Sequence, residues 1–103
     1  MVLDYLGKLL PRNWDEMDLY ERRSFLSGND LSDKKGTIKR DKVCIMEIWC
    51  ECFYKERQDI RRSDSYEIEN ILNRIGGWKR MSTNKSGKIR YNLYGPQKTF
   101  TIS

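Results

Sequence analysis

The most apolar stretch of the sequence is DKVCIMEIWCECFY, residues 41–54. If this stretch is helical, its apolar side chains point in nearly every direction, and Glu47 and Glu51 form one narrow polar strip. A helix of this kind is buried on several sides, and we expect only the strip to face solvent. Residues 41–54 are therefore predicted to form the central helix of the core, capped by Asp41.

The same stretch contains all three cysteines, Cys44, Cys50 and Cys52. On one helix their side chains do not converge, and the chain has no histidine that could complete a zinc site or activate a thiol. We interpret the cysteines as small apolar core residues. Glu47 and Glu51 leave two readings open, a solvated strip or a carboxylate pair for acid–base chemistry, and we favour the solvated strip.

The composition is that of a single globular domain of 103 residues, with a net charge of +5 and 34% charged residues. No apolar run is long enough to cross a bilayer and no secretory signal is evident, so we expect a cytoplasmic protein that does not bind membranes. The odd cysteine count fits a reducing compartment. No GxxxxGK[ST] motif is present, and we expect no cofactor and no catalytic activity.

The charge is unevenly distributed along the chain. Residues 1–54 contain nine Lys and Arg against ten Asp and Glu, whereas residues 55–103 contain eleven against five. A basic patch of this kind indicates an anionic partner, with nucleic acid as the leading candidate, although a merely solvated basic face is the ordinary alternative.

Helix and strand signals follow one another along the rest of the chain. Asn13 suits a helix cap, residues 37–39 have a short β-type pattern, and Ile68, Ile71, Leu72 and Ile75 repeat at helical spacing before Gly76 and Gly77. Two strand-like runs, WKRMS and KIRYNLY, flank a turn-rich segment at 83–87. The predicted segments are a helical lead-in (1–12), helix 1 (13–26), buried helix 2 (41–54), helix 3 (64–75), a β-hairpin (78–94) and a tail (95–103) with an extended segment at 97–102.

This order of elements is that of a winged helix-turn-helix, a mainly α protein with a small antiparallel β-hairpin (α+β). In that fold helix 3 enters the major groove of DNA and the hairpin forms the wing. Residues 78–98 contain six cations, Lys98 among them, and no acidic residue. We predict phosphate contacts from the basic side chains around helix 3 and the wing, namely Arg61, Arg62, Lys79, Arg80, Lys85, Lys88 and Arg90. The candidates for reading bases lie on the polar face of helix 3 and are Tyr66, Asn70, Asn73 and Arg74.

Five phrases, LLPRNW, LYERRSFL, KVCIMEIWCECF, DSYEIENILNRIGGW and LYGPQK, together resemble the C-terminal region of the virulence-associated protein E family. Members of that family are helicase- or primase-like replication proteins of phages and mobile genetic islands. The resemblance covers nearly the whole chain, although Lys98 and Phe100 stand where the family leads us to expect an arginine and a tyrosine. The family's ATP-binding motifs lie upstream of the matched region, so the resemblance implies a role in DNA replication without implying ATPase activity here.

Together these features predict a non-catalytic winged-helix domain that binds duplex DNA on behalf of a replication protein. The alternative is a protein-interaction or oligomerisation module that docks onto the parent helicase-like ATPase or another replication component. That alternative predicts that exposed aromatic side chains such as Trp14, Tyr20 or Tyr66 matter more than the lysines of the hairpin.

Overall fold

The structure, a computed structural model, describes residues 1–28, 36–81 and 87–102. Within these ranges the protein is mixed α+β, with four helices and one antiparallel four-stranded sheet, as the sequence predicts at this level. The helices are α1 (Val2–Gly7), α2 (Leu19–Ser27), α3 (Ile45–Glu47, continued by the π-helix Ile48–Cys52) and α4 (Arg62–Ile75). The strands are β1 (Lys42–Cys44), β2 (Trp78–Arg80), β3 (Lys88–Tyr91) and β4 (Gly95–Ile102). Two 3-10 turns cover Trp14–Glu16 and Arg57–Asp59.

Strand β4 is the strand with which all the others pair. On one side β1 aligns Val43 with Phe100, and on the other side β2 aligns Arg80 with Phe100. Strand β3 follows β2 along that second side, since Thr99 accepts a hydrogen bond from Met81 and donates one to Gly87. The segment that the sequence indicates as a tail is therefore the centre of the sheet.

The predicted hairpin between residues 78–81 and 88–94 is wrong. Strands β2 and β3 run in the same direction, because both are antiparallel to β4. The actual hairpin joins β3 to β4 through a turn at residues 92–94, which Tyr91 and Gly95 close. Both strand-like runs do form strands, but their partner is a third strand that local turn signals do not reveal. The loop predicted between them falls largely at residues 82–86, outside the described part of the chain.

Two predicted helices begin later than expected. Residues 14–16 form a 3-10 turn, and α2 starts at Leu19 behind Asp18, whose side chain caps it. The first residues of predicted helix 2 form β1 instead, so α3 starts at Ile45. Strand pairing with β4 explains the second difference, because it satisfies the backbone groups of Val43 and Cys44 that a helix would otherwise pair. By contrast, α4 covers predicted helix 3 and starts two residues earlier.

The main core includes Phe100 of the central strand β4. Its fully buried members include Val43, Ile48, Ile68 and Leu72, which come from β1, α3 and α4. Cys44 and Cys50 are also fully buried, which confirms their interpretation as core residues, whereas Cys52 is only half-buried. A smaller cluster of Leu10, Trp14, Met17 and Phe25 holds α2 against the N-terminal segment. None of the described helices is long and apolar enough to cross a membrane.

Candidate functional site

A groove of about 330 Å³ lies between α4 and the hairpin formed by β3 and β4. We call it the α4 groove. Its lining combines an apolar floor with a basic rim, and the residues are Ile45, Met46, Ile60, Arg62, Ser65, Tyr66, Glu69, Arg80, Lys88, Pro96, Gln97 and Lys98. Four of these are cations and one is a carboxylate, so the groove is an electropositive concavity.

Helix α4 supplies one wall of the groove because its two faces differ. Ile68 and Leu72 are buried in the core, which fixes the rotation of the helix about its axis. Arg62, Tyr66 and Glu69 recur at helical spacing on another face and therefore line the groove together. Asp64 accepts a hydrogen bond of 2.9 Å from the backbone N–H of Arg61 and so stabilises the start of the helix.

The sheet supplies the opposite wall and two lysines. Lys88 on β3 and Lys98 on β4 are direct cross-strand neighbours, so two cations lie side by side on this wall. Arg80 is held in place by Glu69, to which its Nη2 and Nε donate at 2.7 and 3.0 Å. The hydrogen bond and charge of Glu69 raise the pKa of Arg80. Arg80 is thus a cation that already has one anionic partner, Glu69.

The structure brings four of the sequence-predicted site residues together in the groove: Arg62, Tyr66, Arg80 and Lys88. The others that it describes are exposed but do not line the groove, namely Arg61, Asn70, Asn73, Arg74, Lys79 and Arg90. Lys85 lies outside the described residues. The predicted base-reading set is therefore divided, because Tyr66 borders the cavity and the two asparagines and Arg74 do not.

Four polar residues of the groove are absent from the predicted site: Ser65, Glu69, Gln97 and Lys98. The sequence does predict an extended segment at 97–102, but it does not show that this segment is the central strand, so Gln97 and Lys98 are missed as site residues. The run of Thr99, Phe100, Thr101 and Ile102, which are β-branched or aromatic, is the signal that indicates a strand here. Ser65 is missed because the sequence does not show that the sheet packs against its side of α4.

The tip of the β3–β4 hairpin is anchored to the body of the protein. The side chain of Asn92 donates to the carbonyl of Asp15 at 3.0 Å, and Arg57 donates to the carbonyl of Tyr94 at 2.9 Å. Tyr94 is itself buried. This hairpin is therefore not a freely projecting wing.

A second polar assembly lies inside the core, and it overturns the prediction of a solvated strip on the central helix. Glu47 and Glu51 are 2% and 1% exposed. Arg22 of α2 donates to Glu51 at 2.7 Å and to Glu47 at 3.4 Å, and Arg40 lies 3.5 Å from Glu47. We call Arg22, Arg40, Glu47 and Glu51 the buried ionic cluster. The strip is buried because α2 and the segment before β1 cover the face that local sequence leaves open.

Two phenols complete the coordination of Glu51. Tyr5 donates to its Oε1 at 2.7 Å and Tyr94 donates to its Oε2 at 2.6 Å. Burial raises the pKa of both phenols, and the charge of Glu51 raises it further. Burial also raises the pKa of Glu47, although Arg40 opposes this effect. The oxygens of Glu51 accept bonds from Arg22 and the two phenols, and those of Glu47 accept bonds from Arg22 and Arg40, so both carboxylates have buried structural partners.

The cysteine thiols lie in surroundings that disfavour thiolate chemistry. Burial raises the pKa of Cys44, Cys50 and Cys52. In the part of the chain that the structure describes, no three His, Cys, Asp or Glu residues are grouped so that they could hold a metal ion.

Comparison of the chain with protein-family models and with curated proteins found no match.

Proposed function

We propose that the protein is a non-catalytic DNA-binding domain and that the α4 groove is its contact surface. The observation that carries the proposal is the convergence of Arg62, Arg80, Lys88 and Lys98 around a concave surface that exposes Tyr66. Cations grouped in this way bind phosphates and release condensed counterions, which supplies most of the affinity of such proteins for DNA.

The order and pairing of the elements support a variant of the winged-helix fold. A short strand, β1, follows α2 and joins the sheet that β2, β3 and β4 form after α4. In this variant β2 and β3 together take the place of the first wing strand, and β4 takes the place of the second. Because the turn at residues 92–94 is anchored, the proposed contact surface is the groove and the exposed face of α4 rather than the hairpin tip.

The parent protein in this proposal is a replicative helicase- or primase-like protein of a phage or mobile element. This part rests on the five phrases that resemble the virulence-associated protein E family. Duplex DNA is the proposed partner, and the cytoplasm is the proposed compartment.

Titration of a labelled DNA duplex at two salt concentrations tests the proposal. We expect binding that weakens as salt rises, and we expect Lys98→Ala or Lys88→Ala to lower the slope of log K against log salt by about 1 for each phosphate that the variant no longer binds. Lys55→Ala is the matched control, because Lys55 is exposed and does not line the groove. If the protein does not bind duplex at low ionic strength, or if Lys55→Ala has the same effect as the groove variants, the proposal is wrong.

The exposure of Tyr20 favours the alternative, a protein-interaction module that docks onto the parent ATPase or another replication component. Tyr20 is 79% exposed on α2, whereas Trp14 is only 6% exposed and cannot contribute to a docking surface. Lys88→Glu separates the two functions. If the wild-type protein binds DNA and Lys88→Glu does not, the first function is supported. If the wild-type protein does not bind DNA and Lys88→Glu leaves partner binding unchanged, the second is supported.

A further inference from the structure

We propose that the α4 groove holds an unpaired nucleotide, so that the preferred ligand is a DNA duplex with an adjoining single-stranded segment. This inference rests on the proposed function and specifies its ligand. It assigns to the groove a base-binding role in addition to phosphate contact.

The shape and floor of the groove are the first reason. A surface that only follows the backbone of a duplex needs cations, and an apolar floor adds nothing to such contacts. The α4 groove has a volume of about 330 Å³ and a floor that includes the half-buried Ile45, Met46 and Ile60. This volume lies within the range of cavities that enclose small organic ligands. A nucleobase turned out of a duplex or following its end is an apolar, flat group that can cover such a floor.

Tyr66 is the second reason. Its side chain is 61% exposed at the border of the groove, although a tyrosine ring is more stable when it packs against other groups than when it faces water. Aromatic side chains beside basic grooves bind single strands by stacking on bases, which works for any base because every base has a π-face. Tyr66 is thus placed to stack on a base that enters the groove.

The charges around the cavity are the third reason. Lys88 and Lys98 lie across from each other on the sheet, and Arg62 lies on the helix wall, so cations stand on both sides of the apolar floor. This arrangement can hold one base on the floor while the cations contact the phosphates on either side of it in the same DNA strand. Glu69 accepts two hydrogen bonds from Arg80, at 2.7 and 3.0 Å, and this bidentate contact favours one orientation of the guanidinium.

Polar groups near the floor complete the arrangement. Gln97 lines the groove, and its Nε2 donates to the carbonyl of Tyr94 at 3.0 Å, which holds the amide in one orientation. Ser65 adds a hydroxyl on the opposite wall. Both side chains can exchange hydrogen bonds with the edge of a base without selecting one base strongly.

Fluorescence anisotropy with three labelled DNAs tests the inference. The first is a blunt duplex, the second is the same duplex with a single-stranded overhang of about four nucleotides, and the third carries an overhang of the same length without bases. We expect the overhang with bases to bind about tenfold more tightly than the blunt duplex, and the abasic overhang to lose most of this gain. Removing the bases leaves the phosphates in place, so the comparison isolates stacking from charge.

Two tyrosine variants connect the effect to the groove. We expect Tyr66→Ala to abolish the preference for the overhang with bases, while Tyr66→Phe retains the preference because it keeps the ring. Tyr20→Ala is the matched control, since Tyr20 is exposed on a different helix. Both tyrosines are exposed, so neither change removes a core contact.

The outcomes separate this inference from the proposed function. Equal affinity for all three DNAs, with salt dependence retained, overturns the inference and leaves the proposed function intact. A preference for the overhang that survives Tyr66→Ala also overturns it, because the bases are then bound elsewhere. If none of the three DNAs binds at low salt, the proposed function itself is wrong.

Discussion

Arg22 is the side chain that the buried ionic cluster depends on most. It is 1% exposed, its Nη1 serves both Glu51 and Glu47, and its Nη2 donates to the carbonyl of Trp14 at 2.9 Å. The guanidinium also stacks on the ring of Trp14, with 4.6 Å between its central carbon and the ring centroid. A buried charge in this position is tolerated because it is paired with opposite charges, and loss of Arg22 leaves Glu51 buried without this cation and Glu47 with Arg40 alone.

Replacing Arg22 by methionine should therefore lower the free energy of unfolding by about 3–5 kcal/mol, because two carboxylates then remain buried without their shared cation. Urea unfolding followed by circular dichroism measures the change. Arg74→Met, which removes an exposed arginine from α4, should change the free energy of unfolding by less than about 0.5 kcal/mol. Equal stability of the two variants would show that the cluster contributes nothing to the fold.

The prediction that Glu47 and Glu51 face solvent is wrong for a reason that also concerns single residues. Their spacing correctly places both on one face of a helix, but local sequence does not say what covers that face. The narrowness of the strip is the clue, since a helix that is apolar on all other sides has little surface left for solvent. Arg22 and Arg40 supply the covering charges from positions 25 and 7 residues before Glu47.

At the scale of single elements, α2 shows how a cap decides where a helix begins. Asp18 accepts a hydrogen bond of 2.8 Å from the backbone N–H of Glu21, and Glu21 accepts one of 3.3 Å from the backbone N–H of Asp18. This is a capping box, and it lies five residues after the cap that the sequence indicates at Asn13. The sequence offers both signals, and the 3-10 turn at Trp14–Glu16 separates them.

Asp18→Ala should lower the free energy of unfolding by about 1 kcal/mol, because it removes the acceptor that caps the first turn of α2. Chemical denaturation at neutral pH measures this loss. Asp15→Ala is a matched control, since Asp15 is an exposed aspartate whose side chain does not cap α2. A larger effect from Asp15→Ala than from Asp18→Ala would instead favour a helix that starts at the cap signal of Asn13.

At the scale of the whole molecule, buried phenols link the N-terminal helix to the last hairpin. Tyr5 of α1 and Tyr94 after β3 both donate to Glu51 of α3, so three distant segments meet at one carboxylate. This junction explains why the hairpin tip is fixed. It also makes stability depend on pH, because both phenols must keep their protons.

The sign of that dependence follows from the direction of the pKa shifts. Burial and Glu51 raise the pKa of Tyr94, and burial raises that of Tyr5, above the value of about 10 that tyrosine has in the unfolded chain. The contribution is therefore complete below about pH 10 and is lost as pH rises above it, by about 1.4 kcal/mol per pH unit for each phenol.

Urea unfolding between about pH 8 and 11 should show this loss of the free energy of unfolding. Tyr94→Phe should make the decline above about pH 10 shallower by the contribution of one phenol, about 1.4 kcal/mol per pH unit. Tyr20→Phe should leave the decline unchanged, because Tyr20 is exposed to solvent in the folded protein as it is in the unfolded chain. If Tyr94→Phe and the wild-type protein decline in parallel, the phenol of Tyr94 does not carry the effect.

The sequence by itself determined the α+β class, the apolar helix at the centre of the core, the amphipathic α4 and the basic character of the C-terminal half. These properties depend on composition or on contacts between residues a few positions apart, which periodicity and capping signals report. Only the tertiary structure decided that β4 is the central strand, that Glu47 and Glu51 face inward, and that Lys98 joins Arg62 and Tyr66 in one groove. Each of these depends on which distant segment covers a given face, and that choice is set by the packing of the whole chain.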